Sequence, residues 1–474
     1  MANPINVVDG SDIQVEIDAV TKRAISIRQK VGSAFDTPLA TYATDASGNV
    51  TGLVGPSGRK YRANRIAGNP SGMIKVNTNS TLNAAVTVAT TYDTEQAALG
   101  PFVGIKLLYC NYDASFTMPI TKAKVAASPS HGYNTGGNNA STLTWSNVTF
   151  NGGSLSATLA AASAGSTTSQ NNPTSILSDF IALPSIARTD KYDGVNVYTN
   201  PLLRVLTLIT PVTSFSSVSD NSSYASWNVS GNNNLPNSLV TARNATAGDF
   251  VTNPAANTNG IFDIYGGAVI PTGFIFYYAN QVNITCLCVG DSLTSGIGSG
   301  LGGIGGFPQR AFTSLFGKLG IYGNFLNFGT SGQRLNESQP VARSLINTIQ
   351  PEYLAIFADS PNGNASTAPA TQAVFDAMYA DFLNTVDVAK SKGVTVIAFT
   401  SPMYSGGTWA LIDAQNKRLL NMAGQIKVVD LAAVFSPNGV ESSQYYNADT
   451  THFTDLGYAT AADLLTSAIS SDFM

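Results

Sequence analysis

The chain has 474 residues, of which only 11% are charged, and a formal net charge of −4. That length exceeds one ordinary core and implies two or three domains, while the small negative charge gives no electrostatic case for nucleic acid or an anionic membrane. No uninterrupted apolar run is long enough to span a bilayer, and the abundance of Gly, Ser, Thr, Asn and Ala suits the neutral surfaces of β-structured extracellular or virion proteins.

Met1-Ala2-Asn3-Pro4-Ile5-Asn6-Val7-Val8-Asp9-Gly10 has neither the basic nor the apolar region of a secretory signal. Two readings follow: a leader has been removed, or the protein leaves its cell by another route, of which lysis is one. Residues 1–100 read as a head of modest polar segments. Asp18 to Arg28 alternates partly like a strand, and Ser47-Gly48-Asn49 is a turn signal. Residues 101–280 read as all-β. Phe102–Tyr109, Leu202–Ile209 and the stretch from Thr142 to Phe150 (Leu143, Trp145, Val148, Phe150) alternate with long Gly/Asn/Ser/Thr loops, a pattern expected of a β-sandwich or jelly roll. Such a module could serve as scaffold or bind carbohydrate.

From 281 to 474 the texture changes to alternating strands and helices. Strands are expected at 284–289, 324–328, 353–358, 394–399 and 426–431, with helical patterns clearest at 371–392 and 408–423 and a last helix after His452. This alternation predicts an α/β domain, a parallel sheet covered by helices on both faces. Right-handed crossovers put the C-terminal ends of its strands, with their loops, on one edge.

That edge collects the chemistry. Val289-Gly290-Asp291-Ser292-Leu293 places Ser292 where the apolar, β-branched run Ile284–Val289 hands over to a loop. Asp449-Thr450-Thr451-His452 places a carboxylate and an imidazole three residues apart, just before a helical pattern. A serine hydroxyl is a poor nucleophile until a base takes its proton, and that base works best when a carboxylate fixes its tautomer. The chain has only two histidines. The other, His131, has no carboxylate near it in sequence and reads as a surface loop residue. Cys110, Cys286 and Cys288 form no metal-ligand pattern and read as small buried apolar residues rather than a disulfide framework. No Gly-x-Ser-x-Gly is present, so the strand-to-helix elbow of the α/β-hydrolases is not expected.

With these motifs the chain resembles the SGNH (GDSL) hydrolase family, whose blocks occur here in order over the last two-fifths of the sequence. Phe325-Leu326-Asn327-Phe328-Gly329-Thr330-Ser331-Gly332 is similar to the second block, and Asp359-Ser360-Pro361-Asn362-Gly363-Asn364, after Tyr353–Ala358, to the third. The third departs from the usual Gly-x-Asn-Asp, leaving Asn364 as the alternative to Asn362. The resemblance implies a three-layer α/β/α domain with strand order 2-1-3-4-5, Ser292, His452 and Asp449 as catalytic residues, and an oxyanion hole from Ser292 and Gly332 N–H groups and the Asn362 side chain. It implies no metal and no organic cofactor.

The whole chain, with its polar β-rich first half, also resembles polysaccharide O-acetyl esterase (deacetylase) domains of bacteriophage tailspike or receptor-binding proteins. That likeness implies an acetylated capsule or lipopolysaccharide as substrate, phage tail proteins as partners of the head, a homo-oligomer such as a trimer, and a virion or extracellular location. The alternatives are a secreted lipase-like esterase and a non-catalytic virion adhesin on a hydrolase fold. Trp409, Tyr404 and Phe307 are candidates for stacking on sugar rings, with core packing as the other reading.

Overall fold

The computed structural model describes residues 102–128, 143–163, 172–183, 202–210, 271–278, 284–298, 323–330, 332–363 and 371–472. It also describes most of 306–315 and short strands elsewhere, several of them in the N-terminal hundred residues. Ser47-Gly48-Asn49, His131 and Asn364 lie outside the described residues. In the head, strands Asn3–Asn6, Ile13–Ile17, Ala24–Val31, Ala34–Thr44 and Val50–Val54 form an antiparallel meander.

The all-β stretch contributes β1 (Phe102–Asn111), β2 (Met118–Ser128), β3 (Thr174–Leu177), β4 (Leu202–Ile209) and β5 (Gly273–Tyr278). β2 and β4 pair antiparallel in one sheet, while β1 runs between β3 and β5 in another. The sheets face each other through Tyr109, which lies 3.4 Å from the Thr207 hydroxyl and edge-on to Phe150. This is the expected sandwich packing. Among the described residues, the stretch before Phe150 holds the two-residue strand Ser146–Asn147.

The parallel strands are β6 (Ile284–Gly290), β7 (Gly323–Gly329), β8 (Tyr353–Phe357), β9 (Thr395–Phe399) and β10 (Lys427–Val429). They lie in the order β7-β6-β8-β9-β10, which is 2-1-3-4-5. Short α1 (Ser292–Ser295) follows β6. Then come α2 (Leu335–Ile349), α3 (Gln372–Ser391), α4 (Trp409–Leu420), α5 (Ala432–Phe435) and α6 (Asp455–Ser470).

Alternation along the strands sorts the core into two layers. Leu287 and Val289 of β6 pack with Leu345 and Ile346 of α2 and Phe382 and Val386 of α3. Cys286 and Cys288 point the other way, into a cluster with Phe307, Phe312 and the α6 residues Ala461, Leu465 and Ile469. All three cysteines are buried and free. Full burial of each large apolar side chain stabilises the fold by about 2 kcal/mol, so the sheet holds rigidly the loops at its edge.

Both β regions share one sheet. The three-residue strand Ala63–Arg65 pairs antiparallel with β5 and, at Arg65, parallel with β7, so β3, β1 and β5 continue the parallel sheet. The cores merge too: Leu108, Cys110, Tyr112 and Ile275 join the cluster under α2. Ser175 of β3 meets the Thr348 hydroxyl of α2 at 2.7 Å.

Candidate active site

The turn after β6 is built by its own residues. Asp291 is extended and caps α1, its Oδ1 accepting the Leu293 N–H at 3.0 Å. Ser292 takes the first helical position, where a backbone N–H has no partner inside the helix. The neighbouring strand crowds this turn: a Cβ on Gly329 would come within 2.4 Å of the Ser295 nitrogen, so glycine is needed there. Asn327 fastens the same junction, donating to the Thr294 carbonyl at 3.1 Å and accepting the Gly329 N–H at 2.8 Å.

The structure brings Ser292, His452 and Asp449 together across 160 residues of sequence. His452 Nε2 lies 2.9 Å from Ser292 Oγ, and Nδ1 lies 2.6 Å from Asp449 Oδ2. Pairing of Nδ1 with a carboxylate keeps the neutral ring's proton on Nδ1 and leaves Nε2 to accept from the serine. Asp449 Oδ1 also accepts the backbone N–H groups of Thr451 and His452, at 3.0 and 2.9 Å. Partial burial opposes ionisation of Asp449, but the bonds from His452 and the two backbone N–H groups prevail and hold its carboxyl below the usual range.

The histidine loop is pinned from several sides. Asn447 donates to the Phe453 carbonyl at 2.8 Å, and its backbone N–H donates to the His452 carbonyl at 2.8 Å. Tyr458 of α6 donates to the Ile297 carbonyl at 2.7 Å, tying this loop to the one carrying Ser292.

Gly332 has φ +75°, a left-handed conformation that favours glycine. The residue after it, Gln333, offers its carbonyl to Asn362 Nδ2 at 3.1 Å, which draws the second and third loops together. Asn362 Nδ2 carries two protons, and this bond uses one of them. Of the aromatic candidates, Phe307 is buried edge-on to Phe357 and Phe399, and Tyr404 is buried with Phe375 and Ile412. Core packing is thus the role the structure gives both, while Trp409 is only partly buried against the Tyr404 cluster.

Sequence reasoning missed the polar layer beneath the serine. Ser360 donates to Asp291 Oδ2 at 2.7 Å, and Ser401 donates to Asp359 Oδ1. Both carboxyls are buried in the wall of one cavity, with Leu293, Phe357, Tyr404 and Phe453. Burial raises the Asp291 carboxyl despite its hydrogen bonds. Burial and then the nearby Asp291 push the Asp359 carboxyl up to about 7. The available signal was Ser360, which stands where the third block usually has glycine; Asp359, just before the block, carried none. Among the described residues no three His, Cys, Asp or Glu side chains are grouped to hold a metal ion. No helix among them is long and apolar enough to cross a membrane.

Residues 288–460 match the model of the GDSL-like Lipase/Acylhydrolase family, which supports a GDSL/SGNH acylhydrolase assignment for that segment and an esterase activity of that kind. No curated protein matches the chain. Among solved structures it is similar to a Clostridium thermocellum family 3 carbohydrate esterase (15% identity, 40% of this chain and 97% of that one, TM-score 0.32). Others are a lipase/acylhydrolase from Enterococcus faecalis (19% identity, 40% and 96%, TM-score 0.32) and a GDSL-like lipase from Bacteroides thetaiotaomicron (18% identity, 40% and 87%, TM-score 0.29).

Proposed function

We propose that this protein is a serine esterase that removes O-acetyl groups from a bacterial surface polysaccharide through an acyl-enzyme. The observation that carries the reading is the continuous line from Ser292 Oγ through His452 to Asp449, with contacts of 2.9 and 2.6 Å.

In this mechanism Ser292 Oγ attacks the acetyl carbonyl carbon while its proton passes to His452 Nε2. Asp449, held ionised, stabilises the imidazolium. The oxyanion is held by the N–H groups of Ser292 and Gly332 and by the second amide proton of Asn362. Collapse breaks the ester bond, and the sugar oxygen leaves with the proton from His452. A water then gives His452 a proton as it attacks the acetyl-serine. Acetate departs, and the proton returns to Ser292.

Two observations support a large hydrophilic substrate. The histidine and aspartate of the triad face solvent, the Asp449 side chain being 51% and His452 24% exposed, above a serine that is itself 5% exposed. A bulky polymer can approach such a site, whereas a long acyl chain gains most from a deep apolar channel. The low charge and hydroxyl-rich composition of the first half suit a surface that meets glycan. On this reading 281–474 is the catalytic domain, 101–280 a scaffold or glycan-binding domain, and 1–100 an attachment element. We place the protein at a phage tail or in the extracellular space, with tail proteins as partners and a homotrimer as the assembly.

The test is one enzyme preparation assayed in parallel on O-acetylated polysaccharide, on a short-chain aryl ester and on a long-chain lipid ester. Turnover of the first two with little of the third is expected. Activity confined to the lipid ester would replace this reading with a lipase-like one, and no turnover of any would leave a binding protein on a hydrolase fold.

A further inference from the structure

Each proposed oxyanion donor sits on a different loop, and a single buried hydroxyl lies where the three loops meet. Ser360, 3% exposed, lies two residues before Asn362. Its Oγ is 2.7 Å from Oδ2 of Asp291, the residue before Ser292. The same oxygen accepts the Asn362 N–H at 3.2 Å and stands 3.4 Å from the carbonyl of Gln333, the residue after Gly332. A hydroxyl has one proton. The shorter contact and the carboxylate acceptor give that proton to Asp291, leaving the Gln333 carbonyl to the Asn362 side chain at 3.1 Å. The bonds therefore run in sequence from Asp291 to Ser360, from Ser360 to the Asn362 backbone, and from the Asn362 side chain to Gln333.

We propose that Ser360 is the positioning residue of the oxyanion hole, its hydroxyl setting the Asn362 amide in register with the Ser292 and Gly332 N–H groups. This rests on the esterase reading above. Ser360 touches no reacting atom and acts through Asn362. Oxyanion donors work only when held where charge will develop, and displacement by about 1 Å is enough to cost about a hundredfold in rate. Ser360→Ala leaves Asp291 Oδ2 and the Asn362 N–H, both beside the nucleophile turn, without their present partner. The loop that carries the amide is then free to shift while Ser292, His452 and Asp449 stay in place.

The experiment measures kcat and KM on a short-chain acetyl ester, with kcat expressed per active site titrated by a fluorophosphonate, so that loss of folded protein does not enter. Ser360→Ala should lower kcat about tenfold to a hundredfold with KM within about twofold. Ser360→Cys, which keeps a weaker donor and acceptor in nearly the same volume, should fall between it and wild type and serves if the alanine variant does not fold. The decisive comparison is a double-mutant cycle. If Ser360 acts through Asn362, then Ser360→Ala in an Asn362→Ala background should lose less than about threefold more. Multiplicative losses, or an unchanged kcat per titrated site, would overturn the proposal while leaving the esterase reading intact. Failure of the wild-type protein to react with the fluorophosphonate would instead overturn that reading and this proposal with it.

Discussion

One carboxylate of Asp449 grips His452 at two points, its Oδ2 2.6 Å from the ring Nδ1 and its Oδ1 accepting the backbone N–H at 2.9 Å. Spacing of three residues makes this possible, because the turn through Thr450, at φ +53°, brings the histidine back over the aspartate. The same side chain thus sets the place of the imidazole and the nitrogen that carries its proton.

Asp449→Asn should therefore retain the fold and lower kcat by about a hundredfold to ten-thousandfold, because an amide can present its N–H to the ring and favour the wrong tautomer. His452→Ala should abolish turnover, and His131→Ala should leave it unchanged. Steady-state kinetics on a short-chain ester check all three, and equal losses from the two histidine variants would contradict the assignment.

The nucleophile is tested separately. Ser292→Ala should leave thermal stability nearly unchanged, since the side chain is small and Asp291 still caps the turn, yet retain less than about a hundredth of the wild-type rate. Mass spectrometry after fluorophosphonate treatment should find the adduct on Ser292 alone. Adduct elsewhere with Ser292 unmodified would move the site.

For the oxyanion loop, Asn362→Ala should reduce kcat by about a hundredfold to a thousandfold with a small change in stability, and Asn364→Ala should be near neutral. The reverse result would place the amide two residues further on.

The chain order of the motifs made most of this arrangement legible. Buried parallel strands read as short apolar, β-branched runs, as Ile284–Gly290 does, so the parallel strands and the loops at their edge followed from the pattern, while their order was what the family resemblance implied. α2 was less plain because its first turns read Asn336-Glu337-Ser338-Gln339-Pro340, a polar run with a proline inside the helix. Its Glu337, Ser338 and Gln339 are buried all the same, where they meet backbone groups rather than water. The junction of the two β regions through Ala63–Arg65 was invisible, since a three-residue strand has no period to read. The layer of Asp291, Asp359, Ser360 and Ser401 was also hidden, because hydrogen bonds between distant loops leave no local spacing.

That layer carries a pH dependence of its own. Unfolded, Asp359 ionises near its ordinary 3.8, and in the fold burial and Asp291 push it up to about 7. Below about pH 4 both states hold the proton, so the site imposes no penalty. As pH rises through that window the unfolded chain releases its proton first and the fold loses relative stability, a loss complete above about 7. Asp359→Asn keeps an oxygen for Ser401 and removes the ionisation. Its melting temperature should exceed that of wild type at pH 8, with the gap closing toward pH 4. A gap independent of pH would show that Asp359 is not held neutral.

The most direct test of the account is the treatment of an O-acetylated bacterial capsule or lipopolysaccharide with wild-type protein and with Ser292→Ala, following acetate release and polymer size together. A serine, histidine and aspartate hydrolyse acyl esters, whereas glycosidic cleavage uses two carboxyl groups about 5–9 Å apart across the sugar bond. Wild type should release acetate and leave the chain length unchanged, and Ser292→Ala should release none. Shortening of the polymer without acetate, or equal acetate from the variant, would contradict the account.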